Sequence, residues 1–268
     1  MMQSLLLSFL LFSSPVLAAD LDKGIRAYDA GNYAAAHAEF RSLAERGDAV
    51  AQVYLAIMYY NGKGTSRNYD AAIKWYHLAA KQGYAKAQYN LGAIYYTGQG
   101  APQNYVKAVR WFRLAAKQGY AKAQYILGIM YYDGQGAPQN YDAAIKWYRL
   151  AVEQGHAKAQ FNLGVMYDKG KDVQQDYGEA LRWYRLAAEQ GYAKAQYNLG
   201  VMYYTGQGVP QDYVRAHVWS NLARRQGVKK VDALVKAIER KMLNHQINEA
   251  FIMALQCIAL DFKDCDQW

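Results

Sequence analysis

The helical rhythm of apolar and polar positions in this chain starts, breaks and restarts, then returns unchanged 36 residues later. In residues 83–118, Gln88, Leu91, Gly92 and Tyr95 stand at i, i+3, i+4 and i+7, which is one face of a helix. Lys86, Tyr89, Asn90, Ala93 and Thr97 fall on the opposite face. Gly98-Gln99-Gly100-Ala101-Pro102 then interrupts the pattern, because glycine opens backbone angles closed to other residues and proline cannot continue the ladder. Asn104 is placed to cap a second helix, whose apolar stripe is Tyr105, Ala108, Trp111, Phe112 and Ala115. Gly119 ends it. Each unit is predicted as helix A, a loop of about eight residues and helix B. The small residues Gly92 and Ala108 are expected to bring the helices close, with Trp111 and Tyr95 filling the remaining volume.

Tyr33, Tyr69, Tyr105, Tyr141, Tyr177 and Tyr213 mark the period, as do Gly47, Gly83, Gly119, Gly155, Gly191 and Gly227. A fixed step of this size means stacked units, each burying its apolar face on its neighbours. Such arrays usually present a long concave surface and usually bind rather than catalyse. Full copies cover 47–82, 83–118, 119–154, 155–190 and 191–226. Residues 19–46 read as an N-terminal cap and 227–268 as a C-terminal cap. The latter has an amphipathic helix through Val231, Leu234, Val235, Ile238 and Met242, then a last helix from about Gln246 to Leu260. The fourth copy departs at Gly170-Lys171-Asp172-Val173-Gln174, and this loop is expected to be mobile or a contact point.

Residues 1–18 read as a signal peptide. Leu5 to Phe12 is an apolar run too short to span a bilayer, and Val16-Leu17-Ala18 fits small-residue cleavage. No later stretch is apolar enough for a membrane helix, so the expectation is export to the periplasm or beyond. The net charge of +9 could attract acidic polymers or anionic membrane, but it is spread along the repeats and reads first as a solvated surface. Nucleic acid is excluded as a partner by export. Tyrosine is abundant, at 26, and all but Tyr28 and Tyr54 fall in repeat columns, which points to packing.

The string Leu-Gly-x-x-Tyr, Gly-x-Gly, then Tyr-x-x-Ala-x-x-Trp-Tyr/Phe-x-x-Ala-Ala resembles the Sel1-like repeat, a relative of the tetratricopeptide repeat. The resemblance implies an all-α, right-handed α/α solenoid of helix-turn-helix repeats with divergent caps. It also implies a scaffold or adaptor that binds protein in envelope assembly, signalling or host interaction. Cys257 and Cys265 are the only cysteines and fit an oxidising compartment. Eight positions of straight helix span about 12 Å, too far for a bond, so Asp261 to Asp264 would have to turn the chain back. A cysteine-rich branch of the family ties one helix to the next across this same gap. The resemblance therefore implies a bridge here.

Members of that branch have been described as weakly penicillin-binding or β-lactamase-like, which keeps a weak hydrolase as an alternative. The chemistry for it is missing. After cleavage Ser42, Ser66 and Ser220 remain, none opening a Ser-x-x-Lys, and there is no Lys-Thr-Gly or Gly-x-Ser-x-Gly. No His-Glu-x-x-His offers a zinc site, and His77 reads as a surface residue in an arginine column. The expectation is no enzyme, no metal and no cofactor.

In tetratricopeptide-like arrays helix A lines the concave side. Its outward face here carries Lys86, Tyr89 and Asn90; Lys122 and Tyr125; Lys158, Phe161 and Asn162; Lys194, Tyr197 and Asn198. Lysine favours carboxylates, asparagine can pair with a peptide backbone, and tyrosine gives contact area at low entropic cost. The expected partner is a protein or peptide of acidic character, bound by a monomer. A cell-wall fragment or acidic polysaccharide is the alternative ligand.

Overall fold

The computed structural model describes residues 15–170, 173–263 and 265, with side chains described from residue 20 onward. Most of the expected signal peptide, and Lys171 and Asp172 of the divergent loop, lie outside the described residues. The described residues contain helices and no strand. The chain divides between Gln118 and Gly119 into two compact units.

The first unit holds α1 (Pro15–Asp29), α2 (Tyr33–Glu45), α3 (Ala49–Asn61), α4 (Tyr69–Lys81), α5 (Ala85–Thr97) and α6 (Tyr105–Lys117). Each helix packs on the next in chain order. The second unit holds α7 (Ala121–Asp133), α8 (Tyr141–Val152), α9 (Ala157–Lys169), α10 (Tyr177–Ala188), α11 (Ala193–Thr205), α12 (Tyr213–Arg225), α13 (Val231–Glu239) and α14 (Asn244–Ala259). It stacks likewise up to α12, which then carries both α13 and α14.

Helix boundaries follow the sequence logic. Helix A of the second repeat ends at Thr97, with Gly98 left-handed at φ 73°, and Asn104 accepts the Lys107 amide at 2.9 Å to open helix B. Asn68, Asn140, Asp176 and Asp212 cap their helices in the same way. The loop is closed by a side chain: Gln103 Nε2 donates to the Tyr96 carbonyl at 2.9 Å, and Gln139, Gln175 and Gln211 repeat the bond at 2.7 Å.

Packing corrects one detail of the expected core. The ring that enters the glycine notch is Phe112, not Trp111, which stays half-buried. A Cβ added at Gly92 would lie 2.6 Å from the Phe112 ring, and Gly128 and Gly164 face the Tyr148 and Tyr184 rings as closely. Where the first repeat has Ala56, it too is fully buried.

A buried amide welds successive hairpins. Gln88 is 4% exposed, and its Nε2 donates to the Ala80 carbonyl of the preceding hairpin at 3.2 Å. Its Oε1 accepts from Gln118 Nε2, at the end of its own helix B, at 2.7 Å. Gln52 and Gln196 make the same pair of bonds. Burying a carboxamide is costly unless both its ends are satisfied, and here both are.

The last helix begins at Asn244, two residues before the expected start, because Gln246 Oε1 accepts the Leu243 amide. Beyond Ala259 the chain reverses through Asp261 and Phe262, both at positive φ, and Cys265 is joined to Cys257.

Candidate functional site

The helix-A residues singled out from the sequence divide by their packing. Lys122, Lys158 and Lys194 are exposed, whereas Lys86 is half-buried with its ammonium 5.5 Å above the Tyr54 ring. The aromatic members are half-buried and already in contact. Tyr89 lies 5.6 Å from Phe112, and Tyr125 stacks on His156 at 4.6 Å. Phe161 meets Tyr184 and Tyr192 at 5.7 and 5.2 Å. Tyr197 packs against the cluster of Ala223, Val231 and Val235. These rings hold the repeats together, with part of each surface left to solvent.

The asparagines sit beside helix-B phenols. Asn162 Nδ2 donates to the Tyr148 hydroxyl at 3.2 Å, and Asn198 is hydrogen-bonded to Tyr184. Asn90 and Tyr76 line one cavity of about 160 Å³. Burial pushes all three phenols above their usual range, so each remains protonated. For Tyr184 the carboxylate of Asp168, which accepts its proton at 3.3 Å, adds to the effect.

A larger cavity, of about 370 Å³, opens between α7 and α9. Tyr148 and Asn162 line it together with Ile129, Val165, Asp133 and Lys169. Reading the sequence by its repeated residues passed over this last pair. Their column runs Asn61, Thr97, Asp133, Lys169 and Thr205, changing in almost every copy. Such variation on an outward face, in a chain that otherwise repeats itself, is the signal that could have marked it.

His77 is not the surface residue expected. It is half-buried, edge-on to Trp111 at 5.3 Å, and desolvation pulls its imidazole below the usual value. Ser220, His217 and Glu239 approach the composition of a hydrolytic triad but not its geometry. His217 Nε2 faces Glu239 at 3.3 Å, while Ser220 Oγ is buried and makes no hydrogen bond. Among the described residues no group of His, Cys, Asp or Glu could hold a metal ion.

The Sel1 repeat profile matches residues 49–84, 85–120, 121–156, 157–192 and 193–228, two-thirds of the chain. The chain belongs to the Sel1 repeat family. It is similar to a Sel1 repeat protein from Oxalobacter formigenes, with 35% identity over 82% of this chain and 87% of that one, at a TM-score of 0.75. A protective antigen of uropathogenic Escherichia coli strains with the same repeat fold is 33% identical over 90% of this chain, at a TM-score of 0.81. This chain spans 53% of that antigen. An immunity protein from Pseudomonas aeruginosa shares the fold at 20% identity and a TM-score of 0.52, over 81% of this chain and 83% of that one. No curated protein matches this chain. The fold is therefore the expected all-α solenoid class of Sel1 repeats, a scaffold that is generally non-enzymatic and generally mediates protein–protein interaction. No helix among the described residues is long and apolar enough to cross a membrane.

Proposed function

We propose that this Sel1 repeat protein is an exported adaptor that binds protein partners through the outward face of its helix-A series, without catalysis of its own. The observation that carries the reading is the division of labour on that face. The aromatic rings are engaged in holding the repeats, while the exposed ammonium groups of Lys122, Lys158 and Lys194 and the Tyr–Asn floors of the cavities remain open to a ligand. The rings are half-buried and already engaged with neighbouring rings, which reduces the face on which a sugar could stack and favours a peptide over a glycan. The disulfide and the lack of a membrane-long helix among the described residues are compatible with an extracytoplasmic location. Envelope assembly, signalling and host interaction are the settings in which such an adaptor would act.

The test is capture from envelope and host-cell extracts on residues 19–268, beside a variant with Lys86, Lys122, Lys158 and Lys194 all changed to Glu. The expected result is a protein retained by the parent and lost by the folded variant. Retention by both would move the site off the lysines. No protein retained by either would overturn the adaptor reading.

A further inference from the structure

One position of helix B and the helix-A position fourteen residues later change together along the chain. Tyr76 goes with Asn90, Tyr148 with Asn162 and Tyr184 with Asn198, but Phe112 goes with Ile126. A hydroxyl is matched by a carboxamide, and a bare ring by an aliphatic side chain. The polar pairs are therefore units, and their surroundings differ. Tyr184 spends its proton on Asp168. Tyr76 and Asn90 line the smaller cavity. Around Tyr148 and Asn162 the cavity is about 370 Å³.

In that cavity the Asn162 amide donates to the Tyr148 hydroxyl oxygen. That bond uses one function of each residue, and what remains to this pair in the cavity lining is the hydroxyl proton, a donor, and Asn162 Oδ1, an acceptor. The hydroxyl's donor strength is raised by the bond it accepts. Ile129 and Val165 supply apolar walls. Asp133 and Lys169, the last residues of α7 and α9, bring one negative and one positive charge to the lining. Opposite charges leave no net preference for an anion or a cation and favour a neutral, strongly dipolar group.

We propose that this cavity is a specificity pocket for a primary carboxamide, the side chain of a glutamine or asparagine in a bound peptide. A carboxamide presents one acceptor and one donor side by side on a single edge. Its carbonyl oxygen accepts the Tyr148 proton and its NH₂ donates to Asn162 Oδ1, while its methylenes lie against Ile129 and Val165. A carboxylate of the same shape would set a second acceptor against Oδ1, and a thioether would leave both groups unpaired. Burial keeps Tyr148 protonated, so it can serve as the donor. The inference rests on the protein-binding reading above and narrows it to one contact.

The test uses fluorescein-labelled hexapeptide pools with Gln, Glu or Met fixed at one central position, titrated against the full chain by fluorescence polarisation. The parent should prefer the Gln pool over both others by about tenfold, the cost of leaving a partly buried polar pair unmatched. The double variant Tyr148→Phe/Asn162→Ile copies the pair this chain already carries at 112 and 126, so it should fold. It should lose the preference for Gln over Met. Equal binding of the pools by the parent, or a Gln preference kept in the folded variant, would overturn the pocket. If a partner captured from extracts is still retained by that variant, the pocket fails and the adaptor reading stands. If no extract protein is retained by the parent either, the adaptor reading fails with it.

Discussion

The hairpin α11–α12 and the cap behind it are both helical, yet they are held by different means. In the hairpin the Gln196 amide joins three segments, bonding the Ala188 carbonyl at 3.2 Å and Gln226 at 2.8 Å, and it is fully buried. In the cap the repeat pattern ends, Asp232 stands where the next such glutamine would fall, and a covalent Cys257–Cys265 bond provides the local constraint. The cap also exposes Phe251, Ile252 and Leu255 on α14, whereas the α11–α12 hairpin exposes no large apolar side chain among the described residues. An interior repeat gains stability from neighbours on both sides, whereas a terminal element has one neighbour and needs a local constraint. Position in the array, not helix propensity, separates the two.

The sharpest way to break this comparison is to fill a glycine notch. Gly128→Leu should destabilise the second unit by about 3 kcal/mol, because even the first added carbon falls 2.4 Å from the Tyr148 ring. Thermal unfolding followed by circular dichroism would show it, and an unchanged midpoint would contradict the close packing described. Gln196→Leu should cost about 2 kcal/mol, since it strands the Ala188 carbonyl and the Gln226 amide. Chemical denaturation is the appropriate measurement, and a neutral result would mean that the buried amide gives register without net stability.

Acidification probes the junction between hairpin and cap. His217 is buried on α12, where desolvation lowers its pKa below 6.5; Glu239 on α13 acts the opposite way, and Arg224 adds to the lowering. The unfolded chain therefore takes up the proton more readily than the folded one. Stability from this residue is full above pH 6.5 and falls as the pH drops through 6.5 toward the folded value. His217→Gln should flatten that part of the profile. His37, His77 and His156 are lowered in the same direction by burial and leave a residual slope.

The smallest effect on the main transition is expected from Cys265→Ser. Opening so short a loop removes on the order of 2–3 kcal/mol of constraint, but only where the loop lies. Hydrogen exchange should quicken in α14 with the α11–α12 hairpin unaffected. A matching loss of protection in the hairpin would show that the cap stabilises the repeats after all.

Much of this architecture is legible one residue at a time. Asn104 before a helical stripe and Gly119 after it announce a helix because capping and left-handed geometry are local chemistry. The turn between Cys257 and Cys265 was implied by the family resemblance, because a bridge across that gap cannot form within a straight helix. The site is less legible. Lys122, Lys158 and Lys194 are exposed as the pattern implies, but Tyr89, Tyr125, Phe161 and Tyr197 prove to be partly committed to packing. A face opposite the main stripe of one helix can still be the packing face of another element, and periodicity within a single helix does not contain that information.

The sequence by itself determined the period, the helix ends, the family and the residue types available on the outward face, because each depends on spacing and on neighbours along the chain. Three things were decided only by tertiary structure. They are which ring fills each notch, that Gln88 and Gln196 join hairpins rather than merely sit on a stripe, and that Asp133, Tyr148, Asn162 and Lys169 share one cavity. The reason is physical: each brings together residues of separate helices, 8 to 36 positions apart, and its energy exists only once those helices lie side by side.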